Sequence, residues 1–155
     1  MIFLKFVFAM FLSFLPGMLG MIVTPMYGGQ NLWYNTLNVS SLTPASWVFP
    51  AVWTVLYFFI GLALFWVMIS EEHNKTNAYV WFTINIILNT LWSYAFFGAE
   101  MPKLALLILA ALIVTAIFMA RAFYKINETS FWFIVPYIIW LFFAFYLNGM
   151  IIYLN

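Results

Sequence analysis

Between Lys5 and Glu71 the chain carries no charged side chain. A helix needs about 20 predominantly apolar residues to cross a bilayer, so residues 6–70 are long enough for two crossings. The uncharged polar segment 27–41 divides them. A soluble fold would need polar side chains from elsewhere to coat this stretch, and the chain lacks them. Only 6% of its 155 residues are charged and 68% are hydrophobic, against about 25% charged in an ordinary soluble domain.

The later charges fall in clusters with apolar runs between them. Glu71, Glu72, His73 and Lys75 form one group, Glu100 and Lys103 a second, and Arg121, Lys125 and Glu128 a third. This punctuation predicts an all-α integral membrane protein, a single domain 1–155 built as a five-transmembrane-helix bundle. The expected helices are about 3–26, 44–69, 78–97, 104–124 and 131–153, with a long loop at 27–43. Lys5 followed by FVFAMFLSFL has the look of a signal peptide. No A-x-A-like site follows and the apolar run continues, so a retained first helix is expected. Lys and Arg counts set orientation: Lys5, Lys75, Arg121 and Lys125 on one side and Lys103 on the other place the N-terminus and the 71–77 loop in the cytoplasm. Short loops and no targeting extension favour a bacterial cell membrane over a mitochondrial outer membrane.

Several function classes drop out. A net charge of +1 provides no basic patch for nucleic acid. With no cysteine there is no thiolate nucleophile or Cys-based metal site, and no metal is expected. His73 is the only histidine and sits in a charged loop. There is no aspartate, and the four glutamates lie at membrane edges, so no carboxylate pair is available for acid–base chemistry. Arg121 is expected to snorkel to the interface.

What remains is aromatic and carboxamide chemistry. Ala9, Ser13 and Gly17, with Gly20 nearby, form a small-residue stripe suited to close helix packing within the chain or to a dimer seam. Pro16 and Pro25 are expected to bend or end the first helix. Trp33 and Tyr34 stand in the long loop, as part of a lid or as interfacial anchors. Thr43 and Pro44 read as an N-cap followed by proline at the first helical position. Pro50 then falls inside the helix and should kink it. At about 100° per residue, Trp47, Pro50, Trp53, Thr54, Tyr57 and Gly61 share one face of helix two; Trp53 and Tyr57 lie deep enough to face protein or a cavity. Asn85 and Asn89 should point into the bundle, as interhelical glue or as polar anchors of a ligand. Trp92 continues their face. On helix five Pro136, Trp140, Phe143 and Leu147 share a face, flanked by Ala144 and Asn148. Together these faces suit a flat apolar molecule with a few polar edges.

The residues WY (33–34), TPASWVFPAVWTVLY (43–57), GLA (61–63), NTLWSYAFFG (89–98) and VPYIIWLFFAFYLN (135–148) resemble the translocator protein family, TspO/MBR, of tryptophan-rich sensory proteins and peripheral benzodiazepine receptors. The resemblance covers nearly the whole chain. It implies five transmembrane helices, often as a homodimer, and a pocket between the helices covered by the first loop. The implied ligands are porphyrins and other flat lipophilic molecules, including benzodiazepine-site compounds and cholesterol-like lipids; no resident cofactor is required. By resemblance Trp33 and Tyr34 belong to the lid; Pro44, Phe49, Pro50, Trp53 and Tyr57 form the helix-two wall; Asn85, Asn89 and Trp92 come from helix three; and Trp140, Phe143, Ala144 and Leu147 come from helix five. A sensor or transport role is implied. Light-dependent porphyrin breakdown, known in some members, would fall to Trp53 and Trp140. A structural bundle without a ligand is the remaining alternative.

The chain departs from the family in places. Pro44 is followed by Ala45 rather than a second proline, Glu100 stands where arginine is common, and Ile108 replaces a frequent aspartate. The cationic residue of the proposed cholesterol motif is absent, since Tyr153 is followed by Leu154 and Asn155. A tetrapyrrole is therefore expected in preference to cholesterol.

Overall fold

A computed structural model describes residues 1–23 and 32–155. Five helices follow one another: α1 (Ile2–Val23), α2 (Val48–Ile69), α3 (Thr76–Ser93), α4 (Pro102–Tyr124) and α5 (Glu128–Leu154). A π-helical turn, Tyr94–Gly98, extends α3. All five are long and apolar enough to cross a membrane. Helices are what a bilayer demands, because each satisfies its backbone hydrogen bonds internally where no water can. At about 1.5 Å per residue the 22 residues of α2 span the hydrocarbon core of about 30 Å.

Neighbour packing closes a ring in the order α1–α2–α5–α4–α3. Its inner face is apolar: Leu56, Ile60, Leu64 and Val67 of α2, Leu112, Met119 and Phe123 of α4, and Ile134 and Leu141 of α5 are all buried. The outer face is apolar too. Leu107 is 70% exposed and Ile139 64%, a surface suited to lipid. The chain is an all-α integral membrane protein with multiple spans.

The small residues of α1 are consumed inside this bundle. Ala9 and Ser13 are fully buried. A Cβ added to Gly17 would lie 2.9 Å from a ring carbon of Tyr57, one at Gly61 2.7 Å from both Met10 Sδ and Ser13 Oγ, and one at Gly20 3.3 Å from Ser93 Oγ. Close approach of α1 to α2 and α3 requires these residues, so the stripe packs within the chain.

Two proline expectations are corrected. Pro44 does not start α2: it lies in irregular chain, and the helix begins at Val48 with no side-chain cap. Pro50 thereby becomes the third residue of α2. First-turn N–H groups have no intrahelical partner, so its missing donor costs nothing and no kink follows. Thr54 Oγ1 donates 2.8 Å back to the Pro50 carbonyl. Pro16 does not end α1, which runs through it to Val23; Pro25 and the expected end of helix one lie outside the described residues. Real caps appear elsewhere. Asn127 accepts from Ser130 N (3.2 Å) at the start of α5, and Pro102 opens α4. The Met68 carbonyl at the end of α2 receives Lys5 Nζ (3.0 Å) and Lys75 Nζ (3.4 Å), and the Ser70 carbonyl receives Lys75 Nζ (2.6 Å). Cations at a helix C-terminus satisfy orphan carbonyls and the dipole together. These contacts also put the N-terminus and the 70–77 loop at the same end of the bundle.

Candidate functional site

The polar groups at the centre of the bundle are neutral, and Tyr57, Asn85, Asn89, Thr115 and Tyr137 find partners on other helices. Tyr57 OH donates to Asn89 Oδ1 (3.0 Å), Asn89 Nδ2 donates to Tyr137 OH (3.0 Å), and Tyr137 OH donates to Asn85 Oδ1 (2.9 Å). Asn85 Nδ2 ends the series on Thr115 Oγ1 (3.0 Å) and the Leu112 carbonyl (3.2 Å). One chain of bonds thus ties α2, α3, α5 and α4. Asn85 and Asn89 are each 1% exposed. Both carboxamides point into the bundle, and both ends of each are engaged within the protein. A buried carboxamide without partners would be costly; this arrangement makes the pair interhelical glue.

Aromatic rings stack on this knot. Trp53 lies against Tyr57 (centroids 5.3 Å, 29° between planes), Trp92 (6.2 Å) and Tyr137 (6.3 Å). Trp92 stacks on Phe96 (5.6 Å, 23°), and its Nε1 donates to Asn148 Oδ1 (3.4 Å). Asn148 Nδ2 donates in turn to the Pro102 carbonyl (2.9 Å), fixing the start of α4. The π-helical turn holds Phe96 and Phe97 side by side at 4.8 Å. Such turns widen a helix locally and recur at functional sites.

The described part of the long loop docks on those two phenylalanines. Trp33 meets Phe96 edge-on at 5.5 Å; Tyr34 meets Phe96 at 6.2 Å and Phe97 at 6.0 Å. Burial there pushes the Tyr34 hydroxyl above its usual pKa. Asn38 and Asn155 latch the loop to the end of α5, with Asn38 N donating to Asn155 Oδ1 (2.9 Å) and Asn155 Nδ2 to the Asn38 carbonyl (3.0 Å). Ser40 Oγ bonds Tyr146 OH at 3.1 Å. Trp33 and Tyr34 therefore pack on protein as a cover rather than standing free as interfacial anchors; residues 27–31 of the loop lie outside the described residues.

A second aromatic series lines the α2–α5 wall. Phe49 approaches Trp140 (6.2 Å), Trp140 approaches Phe143 (5.5 Å), and Phe143 lies nearly parallel to Tyr146 (6.5 Å, 19°). Ala144 packs on the core beside it and Leu147 is buried. Pro44 is half-buried, whereas Pro50 is exposed at the head of α2. The helix-two stripe is thus half-buried at Trp53 and buried only at Tyr57 and Gly61; Thr54 is exposed and Trp47 is 71% exposed. Among the described residues two buried side-chain polar atoms have no hydrogen-bond partner, Trp140 Nε1 on this wall and Ser130 Oγ at the start of α5. A separate apolar groove of about 690 Å³ opens between α1, α2 and α3, lined by Phe8, Leu12, Leu64 and Phe82 among others. None of the residues picked out from the sequence lines it.

Sequence reasoning missed Tyr137, which joins both asparagines, and gave no role to Phe97 or Tyr146. The signal for Tyr137 was available. It shares a helical face with Leu141, Ala144 and Asn148, the flank already noted for its small and polar residues.

Comparison with known proteins agrees with this architecture. A family model described as the TspO/MBR family matches residues 8–154. A tryptophan-rich protein TspO of Chlorobaculum tepidum is 36% identical over 125 residues, covering 79% of each chain. A tryptophan-rich sensory protein of Cereibacter sphaeroides is 32% identical over 140 residues, 85% of this chain and 82% of its own length. A translocator protein homolog of Schizosaccharomyces pombe is 29% identical over 140 residues, 88% and 85% of the two chains.

Proposed function

The chain belongs to the TspO/MBR family, and from that premise we propose that it binds a porphyrin or similar flat lipophilic molecule between α2 and α5, as a sensor or translocator. Relatives named as a sensory protein and a translocator protein homolog support the role. The observation that carries the ligand reading is the buried, unpartnered Trp140 Nε1, set among Phe49 and Phe143 on the α2–α5 wall. A buried donor without an acceptor is a standing cost of about 1–3 kcal/mol. A ring with acceptor atoms at its edge removes that cost and gains stacking area. The asparagines are not needed as anchors, since their bonds are already made. On this reading the ligand sits against Trp53 and Trp140 under the Trp33–Tyr34 cover, and the end carrying Lys5, Lys75, Arg121 and Lys125 faces the cytoplasm of a bacterium.

The test is quenching of tryptophan fluorescence by protoporphyrin IX in the dark, on the detergent-purified protein and on Trp53→Phe, Trp140→Phe. Saturable quenching that weakens in the double variant is expected. Linear quenching shared by both proteins means partition into the micelle and removes the reading. The second reading, light-dependent porphyrin breakdown, is favoured by the Trp53–Trp92–Tyr57–Tyr137 cluster, whose rings could relay an electron to an excited porphyrin. Loss of porphyrin absorbance under light, abolished by Trp53→Phe or Trp140→Phe, distinguishes it from binding alone.

A further inference from the structure

We propose that the opposite end of the bundle holds a phosphate group, in a pocket between the start of α3 and the end of α4. The pocket encloses about 460 Å³ and is lined by Glu72, Asn74, Asn77, Trp81, Phe118, Arg121 and Lys125, among others. Four cations gather at this end, and they are used in two ways. Lys5 and Lys75 are spent on the carbonyls that close α2. The corresponding carbonyls of α4 are closed by main chain instead: Lys125 N donates to Arg121 O (3.4 Å), and Ile126 N (3.0 Å) and Asn127 N (2.8 Å) donate to Phe123 O. The side chains of Arg121 and Lys125, one helical turn apart, are therefore left over, and both line the same pocket.

The rest of the lining suits a phosphate ester at a membrane surface. A guanidinium fork meets two phosphate oxygens at once, and an ammonium adds a point charge. Asn74 and Asn77 add carboxamide donors. Glu72 is the one carboxylate in the lining, and its Oε1 is turned onto the backbone amides of His73 (3.0 Å) and Asn74 (3.1 Å). Two cations against that one anion leave the pocket net positive. Below the charged rim, Trp81 and Phe118 stack at 4.8 Å and 18°, an aromatic floor at the level where a glycerol backbone meets its acyl chains. Rim and floor together match a phospholipid headgroup; a soluble phosphate would use the rim alone.

The test is native mass spectrometry of the delipidated protein, offered phosphatidylglycerol and phosphatidylcholine in equal amounts. Retention of phosphatidylglycerol about fivefold or more above phosphatidylcholine is expected from two surface cations. The preference should vanish in Arg121→Gln/Lys125→Gln and persist in Arg121→Lys and in Lys103→Gln, which removes the cation at the other end. Competing inorganic phosphate identifies the source. If it leaves the lipid bound, the headgroup is the ligand; if it displaces the lipid saturably, and only from proteins that keep both cations, a soluble phosphate compound is. Equal retention of the two lipids by the unaltered protein overturns the proposal, as does a preference that survives the double substitution or disappears in Lys103→Gln.

Discussion

Two levels of the bundle interior are built from similar residues and do opposite things. At the knot, Tyr57, Asn85, Asn89, Tyr137 and Thr115 exchange hydrogen bonds until each polar group is engaged. On the α2–α5 wall, Trp140 keeps a buried N–H with nothing to receive it. A closed network in low dielectric is rigid, because opening it strands a polar group in apolar surroundings. An unclosed one retains a preference for an incoming acceptor. The first level holds four helices in register; the second is where a ligand gains most.

The sharpest break of this contrast is Asn89→Leu. It strands the hydroxyl of Tyr57 and leaves Tyr137 OH only its bond to Asn85 Oδ1, so the protein should lose about 1–3 kcal/mol in reversible unfolding in mixed micelles. A loss within error would show that the knot is incidental. Trp140→Phe should do the reverse. Stability should change by less than about 1 kcal/mol, because the space left by the smaller ring is offset by removal of an unpaired buried N–H, while porphyrin affinity falls about tenfold, the equivalent of one charge-neutral hydrogen bond. If this variant unfolds more readily than Asn89→Leu and binds unchanged, the two levels have been assigned the wrong way round. Asn155→Ala releases the loop latch and is expected to cost about 0.5–1.5 kcal/mol, read as faster amide exchange at Asn38; protection that stays the same would show that the loop is held by its aromatics and the Ser40–Tyr146 bond. The smallest effect belongs to Pro50→Ala. With its ring in the first turn of α2, stability should move by no more than about 0.5 kcal/mol, and a loss several times larger would restore an interior role for this proline.

Much of the candidate site was legible in the sequence because aromatic and amide residues in hydrocarbon have few places to go. Asn85 and Asn89 had to turn inward, and Trp53 and Tyr57 had to face protein, since neither pair sits near an interface where lipid headgroups could serve it. Trp33 and Tyr34 stood out because aromatics in a long polar loop need something to cover. What stayed illegible was the choice between readings that share one signature. A carboxamide held by protein and one held ready for a ligand look alike in sequence. Only Tyr137 and Thr115, both beyond local range, decide it here. Helix starts failed for a related reason. Thr43 and Pro44 carry the local code for a helix N-terminus, but they lie between two turns, 40–43 and 45–48, and α2 begins four residues later.

The sequence by itself determined that this is a five-span membrane protein, because bilayer thickness and the cost of a buried charge translate directly into run length and charge position. It also determined which residue types meet inside. The tertiary structure alone decided who meets whom. It spent the α1 small residues on α2 and α3, saturated the asparagines, left Trp140 Nε1 open, and divided four cations into two that cap a helix and two that face a pocket. Those outcomes depend on distances between residues far apart in the chain, and spacing along one helix carries no record of them.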